Sequence, residues 1–117
     1  MTSNQSHKAL VFGSISIDKI INKYGTYNDV LGGSAAYALL ATKSKECQLV
    51  GMVGSDFPKH HYKLLGNHSI NLNDLKIEKG NTFAWGGEYA QDFSSRETLY
   101  VDPGVSEKFE PILSKDA

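Results

Sequence analysis

Two runs of consecutive apolar residues predict strands of a parallel sheet. The first is Ala9–Phe12, which Gly13 closes, and the second is Cys47–Val53. Continuous apolar runs are typical of strands that are buried on both faces, as the strands of parallel sheets are. We therefore expect both runs to lie inside an α/β sheet.

Two helices are predicted beside these strands. The pair Gly32-Gly33 opens a segment of small helix-forming residues, and the helix is expected from Ser34 to about Lys43. A second helix follows the strand Cys47–Val53. Asp56 is its expected N-cap, Pro58 is tolerated in its first turn, and Gly66 stands near its end. The alternation of strands and helices predicts a right-handed βαβ unit.

A different pattern, with period two, predicts a second and smaller sheet. Ile15, Ile17 and Ile21 share one parity and Ser16 and Asp18 the other, which indicates a half-exposed strand. Residues 24–29 then show turn chemistry. Two later segments alternate like antiparallel strands, and the glycines at 86–87 are interpreted as a bulge within one strand. We call this sheet the lid, with strands expected at about 15–24, 81–90 and 96–101, over the ends of the parallel sheet.

The composition suits one globular unit without an anionic partner. The chain has 117 residues, is 40% apolar and carries a net charge of −1. This balance gives no electrostatic reason to expect binding to nucleic acid or to a membrane surface. The apolar run after the polar N-terminus is shorter than a signal peptide requires, and much shorter than the about 20 residues of a membrane span. The expected location is the cytoplasm.

The predicted ligand site lies at the carboxyl ends of the parallel strands, where open α/β sheets bind ligands. Gly32 and Gly33 can bring backbone N–H groups close to a polar ligand at a helix start. Asp18 offers acceptors only, and therefore suits a ligand that donates hydroxyl groups. The equally weighted alternative is that the glycines form a plain turn and that Asp18 is a solvated strand residue.

Other kinds of site have weaker signals. The sequence contains neither a phosphate-loop motif nor a G-x-G-x-x-G motif after its first strand. His61 and His68 would lie about 10 Å apart along one helix, too far for one zinc ion, and Gly66 is expected to end that helix before His68. His60, His61 and His68 are therefore interpreted as solvated surface residues, and no metal site is predicted.

The parity of the segment 82–85 places Phe83 and Trp85 on one face of a strand. Phe83 is interpreted as part of the buried face of the small sheet. Trp85 could instead form an apolar wall over a ligand, because it combines a large surface with an N–H donor.

The same residues resemble a known family. The order of Gly13 and Asp18, the glycines 32–33 at a helix of small residues, and the run Val50–Phe57 are similar to the ribokinase-like (PfkB-type) carbohydrate kinases. The resemblance spans about residues 8–101. It implies a Rossmann-like α/β domain with a small β-sheet lid, and transfer of the γ-phosphoryl group of ATP, with Mg²⁺, to a hydroxyl group of a sugar or nucleoside.

The resemblance also assigns roles to residues. Asp18 matches the aspartate that accepts hydrogen bonds from substrate hydroxyls, Gly32 and Gly33 match the glycines that line the same pocket, and Asp56 matches a helix-capping aspartate. Tyr37 stands where the family usually has asparagine, which reshapes the pocket. Together with Trp85, these give the expected substrate-binding set Asp18, Gly32, Gly33, Tyr37 and Trp85.

The glycine-rich motif that carries the family's catalytic base does not occur in the chain. Residues 1–117 are therefore interpreted as an N-terminal part of one kinase domain that lacks its nucleotide-binding and catalytic part, and that is inactive alone. No catalytic, cofactor-binding or metal residue is predicted. The alternatives are a stand-alone domain that binds or senses a small ligand, and a module that forms a homodimer through the lid, since open sheet edges recruit partners.

Overall fold

The computed structural model describes residues 9–42 and 45–108, and within these ranges the strands form two sheets. The strands are β1 (Ala9–Phe12), β2 (Ser16–Asn22), β3 (Gly25–Gly32), β4 (Cys47–Gly54), β5 (Leu75–Glu78), β6 (Phe83–Tyr89) and β7 (Arg96–Asp102). The helices are α1 (Ser34–Leu40), α2 (Lys59–His68) and a 3-10 helix, Gly104–Lys108. None of the described helices has the length and apolar character needed to cross a bilayer.

The core sheet is parallel and has the strand order β1-β4-β5. Helices α1 and α2 contribute to the same hydrophobic core as β4. Its buried members are Ile15, Leu31, Ala35, Ala36, Leu39, Leu49, Val53, Leu65 and Leu75. The small residues of α1 allow the helix to lie close to the sheet, because alanine side chains need little space. The predicted α/β class, with a parallel sheet and flanking helices, is confirmed.

The prediction that β1 is buried on both faces is wrong. Phe12 is 48% exposed and Ala9 is also exposed. The cause is the position of β1, which pairs with β4 on one side and with no other described strand on the opposite side. An apolar run indicates a strand, but it does not distinguish a central strand from an edge strand.

The second sheet, the lid, has the strand order β3-β2-β6-β7. Its central strands β2 and β6 run parallel, and the outer strands pair antiparallel to them. Strands β2, β6 and β7 overlap the three predicted segments, whereas β3 occupies residues that were interpreted as a turn. Gly25 and Asp29 have positive φ angles of 141° and 54°, so turn-forming residues are accommodated inside this edge strand. The true turn is limited to residues 23–24.

The glycines at 86–87 lie inside β6, as predicted, and the pairing of β6 with β7 is irregular at this point. Gly86 pairs with Tyr100 and Gly87 with Thr98, so the extra residue, Leu99, belongs to β7. A side chain at Gly86 would collide with the ring of Tyr100, and one at Gly87 with the indole of Trp85. The two glycines therefore allow aromatic rings to lie against the strand.

Three predicted helix boundaries are wrong. Helix α1 ends at Leu40 rather than near Lys43, which lies outside the described residues, and Thr42 donates through its N–H and its Oγ1 to Leu39 O. Pro58 is the N-cap of α2, and Asp56 does not cap it. Gly66 does not end α2, which continues to His68. The cost of glycine in a helix, about 1 kcal/mol, is small compared with burial of a leucine such as Leu65.

Asp56 instead joins the core sheet to the lid. Its Oδ1 accepts hydrogen bonds from Thr82 N at 2.8 Å and from Thr82 Oγ1 at 2.6 Å. Thr82 Oγ1 in turn accepts a hydrogen bond from Gly54 N at the end of β4. The carboxylate thus ties the end of a core strand to the residue that precedes β6. This connection helps to set where the lid stands relative to the core.

Candidate functional site

Asp18 lies on the face of β2 that is turned toward the core. Ser16 and Asp18 are both buried, and Asp18 is only 8% exposed. Ser16 Oγ donates a hydrogen bond of 2.7 Å to Asp18 Oδ1. Burial raises the pKa of Asp18, and the hydrogen bond from Ser16 acts in the opposite direction. The polar positions of this strand are therefore buried, and the alternative in which Asp18 is a solvated residue does not describe the structure.

Gly32 provides the space that the Asp18 carboxylate occupies. It pairs with Ser16 across the β2–β3 ladder. A Cβ atom at this position would stand 2.0 Å from Asp18 Oδ2 and 2.8 Å from Ser16 Oγ. Among the described residues, no donor forms a hydrogen bond with Oδ2. Gly32 thus places an acceptor oxygen where a ligand can reach it, rather than presenting its own backbone.

Gly33 forms the start of α1 with a positive φ angle of 97°. A side chain here would meet Ser14 O at 2.3 Å. The expectation that the first N–H groups of the helix are bare is wrong for two of them. Ser34 N donates to Ser14 Oγ at 3.1 Å and Ala35 N donates to Ser14 O at 3.0 Å. These two N–H groups are therefore already engaged within the protein.

A cleft of about 490 Å³ opens between α1 and the lid. This volume lies in the usual range for small-molecule sites. Its walls are formed by Ser16, Asp18, Ile20, Gly33, Ser34, Tyr37, Phe83, Trp85, Tyr89 and Arg96. The structure thus brings together four members of the expected set, Asp18, Gly33, Tyr37 and Trp85. The fifth, Gly32, touches the cleft only through the carboxylate that it accommodates.

Aromatic side chains form the lid wall of the cleft. Phe83 and Trp85 point to the same side of β6, as predicted, and both are half-buried. The interpretation of Phe83 as a buried side chain is wrong, because it also faces the cleft. Tyr37 lies across the cleft on α1 and is largely exposed. A ligand in the cleft would therefore contact apolar rings beside the acceptor oxygen of Asp18.

Several residues of the cleft were not predicted as site residues, and two of them, Ser16 and Arg96, are polar side chains that bear on its chemistry. Arg96 begins β7 opposite Tyr89, and its guanidinium carbon lies 5.3 Å from the centre of the Trp85 ring. The period-two pattern of residues 15–21 did indicate that Ser16 lies on the same face of the strand as Asp18. The position of Arg96 depends on the register of the β6–β7 hairpin, which the sequence does not specify because of the irregularity at Leu99.

The three described histidines, His60, His61 and His68, do not form one metal-binding cluster. His61 is buried and its Nε2 donates to Asp29 O at 2.7 Å, so the prediction that it is solvated is wrong. His68 is half-buried and donates through Nδ1 to Thr42 O at 3.1 Å, whereas His60 is exposed. Across the described part of the chain, no three His, Cys, Asp or Glu side chains are grouped to hold a metal ion. His61 instead ties α2 to the lid strand β3.

The fold and the cleft can be compared with known proteins. No family model matches the chain, and no curated protein matches it. Solved structures do match. A nucleoside kinase from Methanocaldococcus jannaschii, an archaeal member of the ribokinase family, superposes with a TM-score of 0.68 at 21% identity, over 92% of this chain and 41% of that one. A ribokinase from Cryptococcus neoformans, in complex with ADP, gives 0.67 at 21% identity, over 83% and 35%.

A nucleoside kinase from Burkholderia thailandensis, in complex with inosine, superposes with a TM-score of 0.65 at 17% identity, over 87% of this chain and 38% of that one. The chain therefore adopts part of the ribokinase-like fold. It spans about two fifths of the length of these structures or less. At these identities the likeness concerns the fold alone.

Proposed function

We propose that this chain is the substrate-binding and lid portion of a kinase that transfers the γ-phosphoryl group of ATP to a hydroxyl group of a sugar, nucleoside or related small molecule. The observation that carries the proposal is the Asp18 carboxylate, which is buried beside the cleft with one oxygen held by Ser16 and the other without a donor among the described residues. The ribokinase-like fold supports the same function.

The chemistry of Asp18 suits recognition of a substrate alcohol. An ionised carboxylate accepts hydrogen bonds and donates none, so it selects ligands with hydroxyl groups. Phosphoryl transfer depends mainly on holding the acceptor hydroxyl in line with the phosphoryl group. Asp18 and the aromatic wall would supply this positioning. Closure of the lid over the cleft would also exclude water, which would otherwise compete as the acceptor.

The described residues do not fit ATP and Mg²⁺. They contain no group of acidic or histidine side chains arranged for a metal ion, and the chain has no phosphate-loop motif. We propose that the nucleotide, the Mg²⁺ ion and the catalytic base are held by a part of the domain outside residues 1–117. The 117-residue chain alone would then bind substrate without turnover. Because the donor is ATP, we place the complete enzyme in the cytoplasm.

A phosphotransfer assay on the full-length protein tests this function. The protein is incubated with ATP, Mg²⁺ and a panel of sugars and nucleosides, and ADP release is measured. Asp18→Asn is expected to lower kcat/KM by about 10-fold or more, because the amide replaces an ionised acceptor. Asp92→Asn, in the exposed β6–β7 turn, is the matched control and should retain activity. Binding of a panel member without ADP release would favour the stand-alone ligand-binding alternative.

We also propose that two copies associate through the lid. Strand β7 is an edge of the sheet and is exposed along its whole length, including Leu99 and Val101. Exposed edges with apolar side chains pair readily with other strands. Sedimentation of the full-length protein should show a dimer that Val101→Lys dissociates. A monomer at all concentrations would contradict this proposal and leave the kinase function unaffected.

A further inference from the structure

We infer that the ligand of the cleft carries an anionic group, a carboxylate or a phosphate, in addition to its hydroxyl groups, and that Arg96 binds this group. The inference rests on the proposed function, because it names the substrate class of the same cleft. Its starting point is the charge distribution in the cleft. Asp18 and Arg96 are the charged side chains among the residues that line it.

Arg96 is exposed, and it also lines a neighbouring depression with Glu88 and Glu97. No carboxylate within residues 9–42 and 45–108 forms an ion pair with its guanidinium. Asp18, the carboxylate of the same cleft, is engaged by Ser16 Oγ at 2.7 Å. An arginine side chain that lines a cleft without an acidic partner is a binding group for anions.

The guanidinium of Arg96 lies close to the indole ring of Trp85 in the cleft. The guanidinium carbon lies 5.3 Å from the ring centre, which is the geometry of a cation–π contact. A guanidinium carries five N–H donors in a fixed planar arrangement. These donors match the two oxygens of a carboxylate or a phosphate. The contact with Trp85 therefore positions the guanidinium at the wall of the cleft.

The positions of the two charges define the ligand further. Asp18 belongs to β2, beside α1, whereas Arg96 begins β7, two strands farther across the lid. The rings of Phe83 and Trp85 lie on the strand between them. A ligand that satisfies all three features donates hydroxyl groups at one end, presents an apolar face in the middle and carries a negative charge at the other end. Sugar acids and sugar phosphates have this arrangement, whereas unmodified sugars lack the charge.

Binding measurements on the full-length protein test the inference. The probes are matched sets built on ribose, glucose and galactose, each with the neutral sugar, its aldonic acid and its terminal phosphate ester, and inosine as a neutral ligand with a planar base. Calorimetry should show that an anionic member binds about 10-fold more tightly than its neutral counterpart. The preference should decrease as NaCl is raised, because salt screens charges.

Two variants assign the effect to Arg96. Arg96→Gln should lower the affinity for the anionic member to about that of its neutral counterpart, since charge-assisted hydrogen bonds are the interactions removed. Lys23→Gln is the matched control. Lys23 also lies over aromatic rings of the lid, those of Tyr24 and Phe93, but it does not line the cleft. This variant should retain the preference.

The outcomes separate this inference from the proposed function. A carboxylate preference identifies sugar acids and a phosphate preference identifies sugar phosphates. Equal affinity for neutral and anionic members, or tightest binding of inosine, would overturn the inference while kinase activity on those ligands would leave the proposed function intact. If the protein neither binds nor phosphorylates any member of the panel, both are overturned. An anion preference that persists in Arg96→Gln would also overturn the role of Arg96.

Discussion

Replacing Gly32 by alanine should impair ligand binding because the new side chain displaces the Asp18 carboxylate. The substitution itself is not at a residue that lines the cleft. The new Cβ would stand 2.0 Å from Asp18 Oδ2, whereas ordinary contacts begin at 3.4 Å. The carboxylate oxygen must therefore move by about 1.4 Å. The hydrogen bond of 2.7 Å from Ser16 cannot survive such a shift in its present form.

The expected magnitudes follow from these contacts. A hydrogen bond from a ligand hydroxyl to the charged Asp18 carboxylate contributes about 1.5–3 kcal/mol. Loss of this ligand contact therefore lowers affinity by about 10- to 150-fold. Overpacking itself costs about 1–3 kcal/mol of folding stability. Gly51→Ala is the matched control. Its Cβ would meet Ile15 Cδ1 at 2.6 Å in the core, away from the cleft-lining residues.

The assay combines calorimetric binding of the tightest ligand from the sugar panel with urea unfolding of the full-length protein. Both alanine variants should lose comparable stability, and only Gly32→Ala should lose affinity. If Gly32→Ala folds and binds like the parental protein, the carboxylate does not depend on the space at Gly32. Equal losses of affinity in both variants would mean that general destabilisation, rather than displacement of Asp18, explains the effect.

Three further predictions concern stability and the lid. The pKa of Asp18 is raised on folding, so the folded state holds this proton more tightly and stability falls as pH rises from 3.8 through the raised pKa. Asp18→Asn should remove that decline in thermal unfolding across this pH range. Gln48→Leu removes buried hydrogen bonds and should lower the free energy of unfolding by about 2–4 kcal/mol in urea, whereas a change below about 0.5 kcal/mol would contradict this role. Gly87→Val should displace Trp85, the one tryptophan, and shift its fluorescence to the red; an unchanged spectrum would contradict the packing.

Local sequence patterns predicted the presence of strands better than they predicted the burial and pairing of those strands. The apolar run at β4 identified a buried strand, and the continuation of β6 through its two glycines was also predicted. A similar run at β1 led to a wrong prediction of burial, because the exposure of β1 depends on which strands lie beside it. Turn-forming residues at 25–29 suggested a loop, but pairing with β2 holds them in a strand. In each case a neighbour distant in sequence decided the outcome.

The candidate site likewise combines residues that the sequence indicated with contacts that only the structure revealed. The sequence indicated Asp18 and the glycine pair because residue type restricts their chemistry: a carboxylate accepts hydrogen bonds, and glycine tolerates close approach and positive φ. It did not indicate that Asp56 would join the core to the lid through Thr82, or that His61 would bond to Asp29 O. These contacts join residues 26 and 32 positions apart, and no local pattern encodes such pairings.

The sequence by itself determined the α/β class, the helix start at Gly33 and the presence of a carboxylate and a glycine pair beside the cleft. These properties follow from hydrophobic periodicity and from the chemistry of single residues. Only the tertiary structure decided that Gly32 makes room for the Asp18 carboxylate and that Arg96 lies against the ring of Trp85 in the same cleft. Both depend on strand register, which is set by packing and long-range pairing rather than by neighbours in the chain.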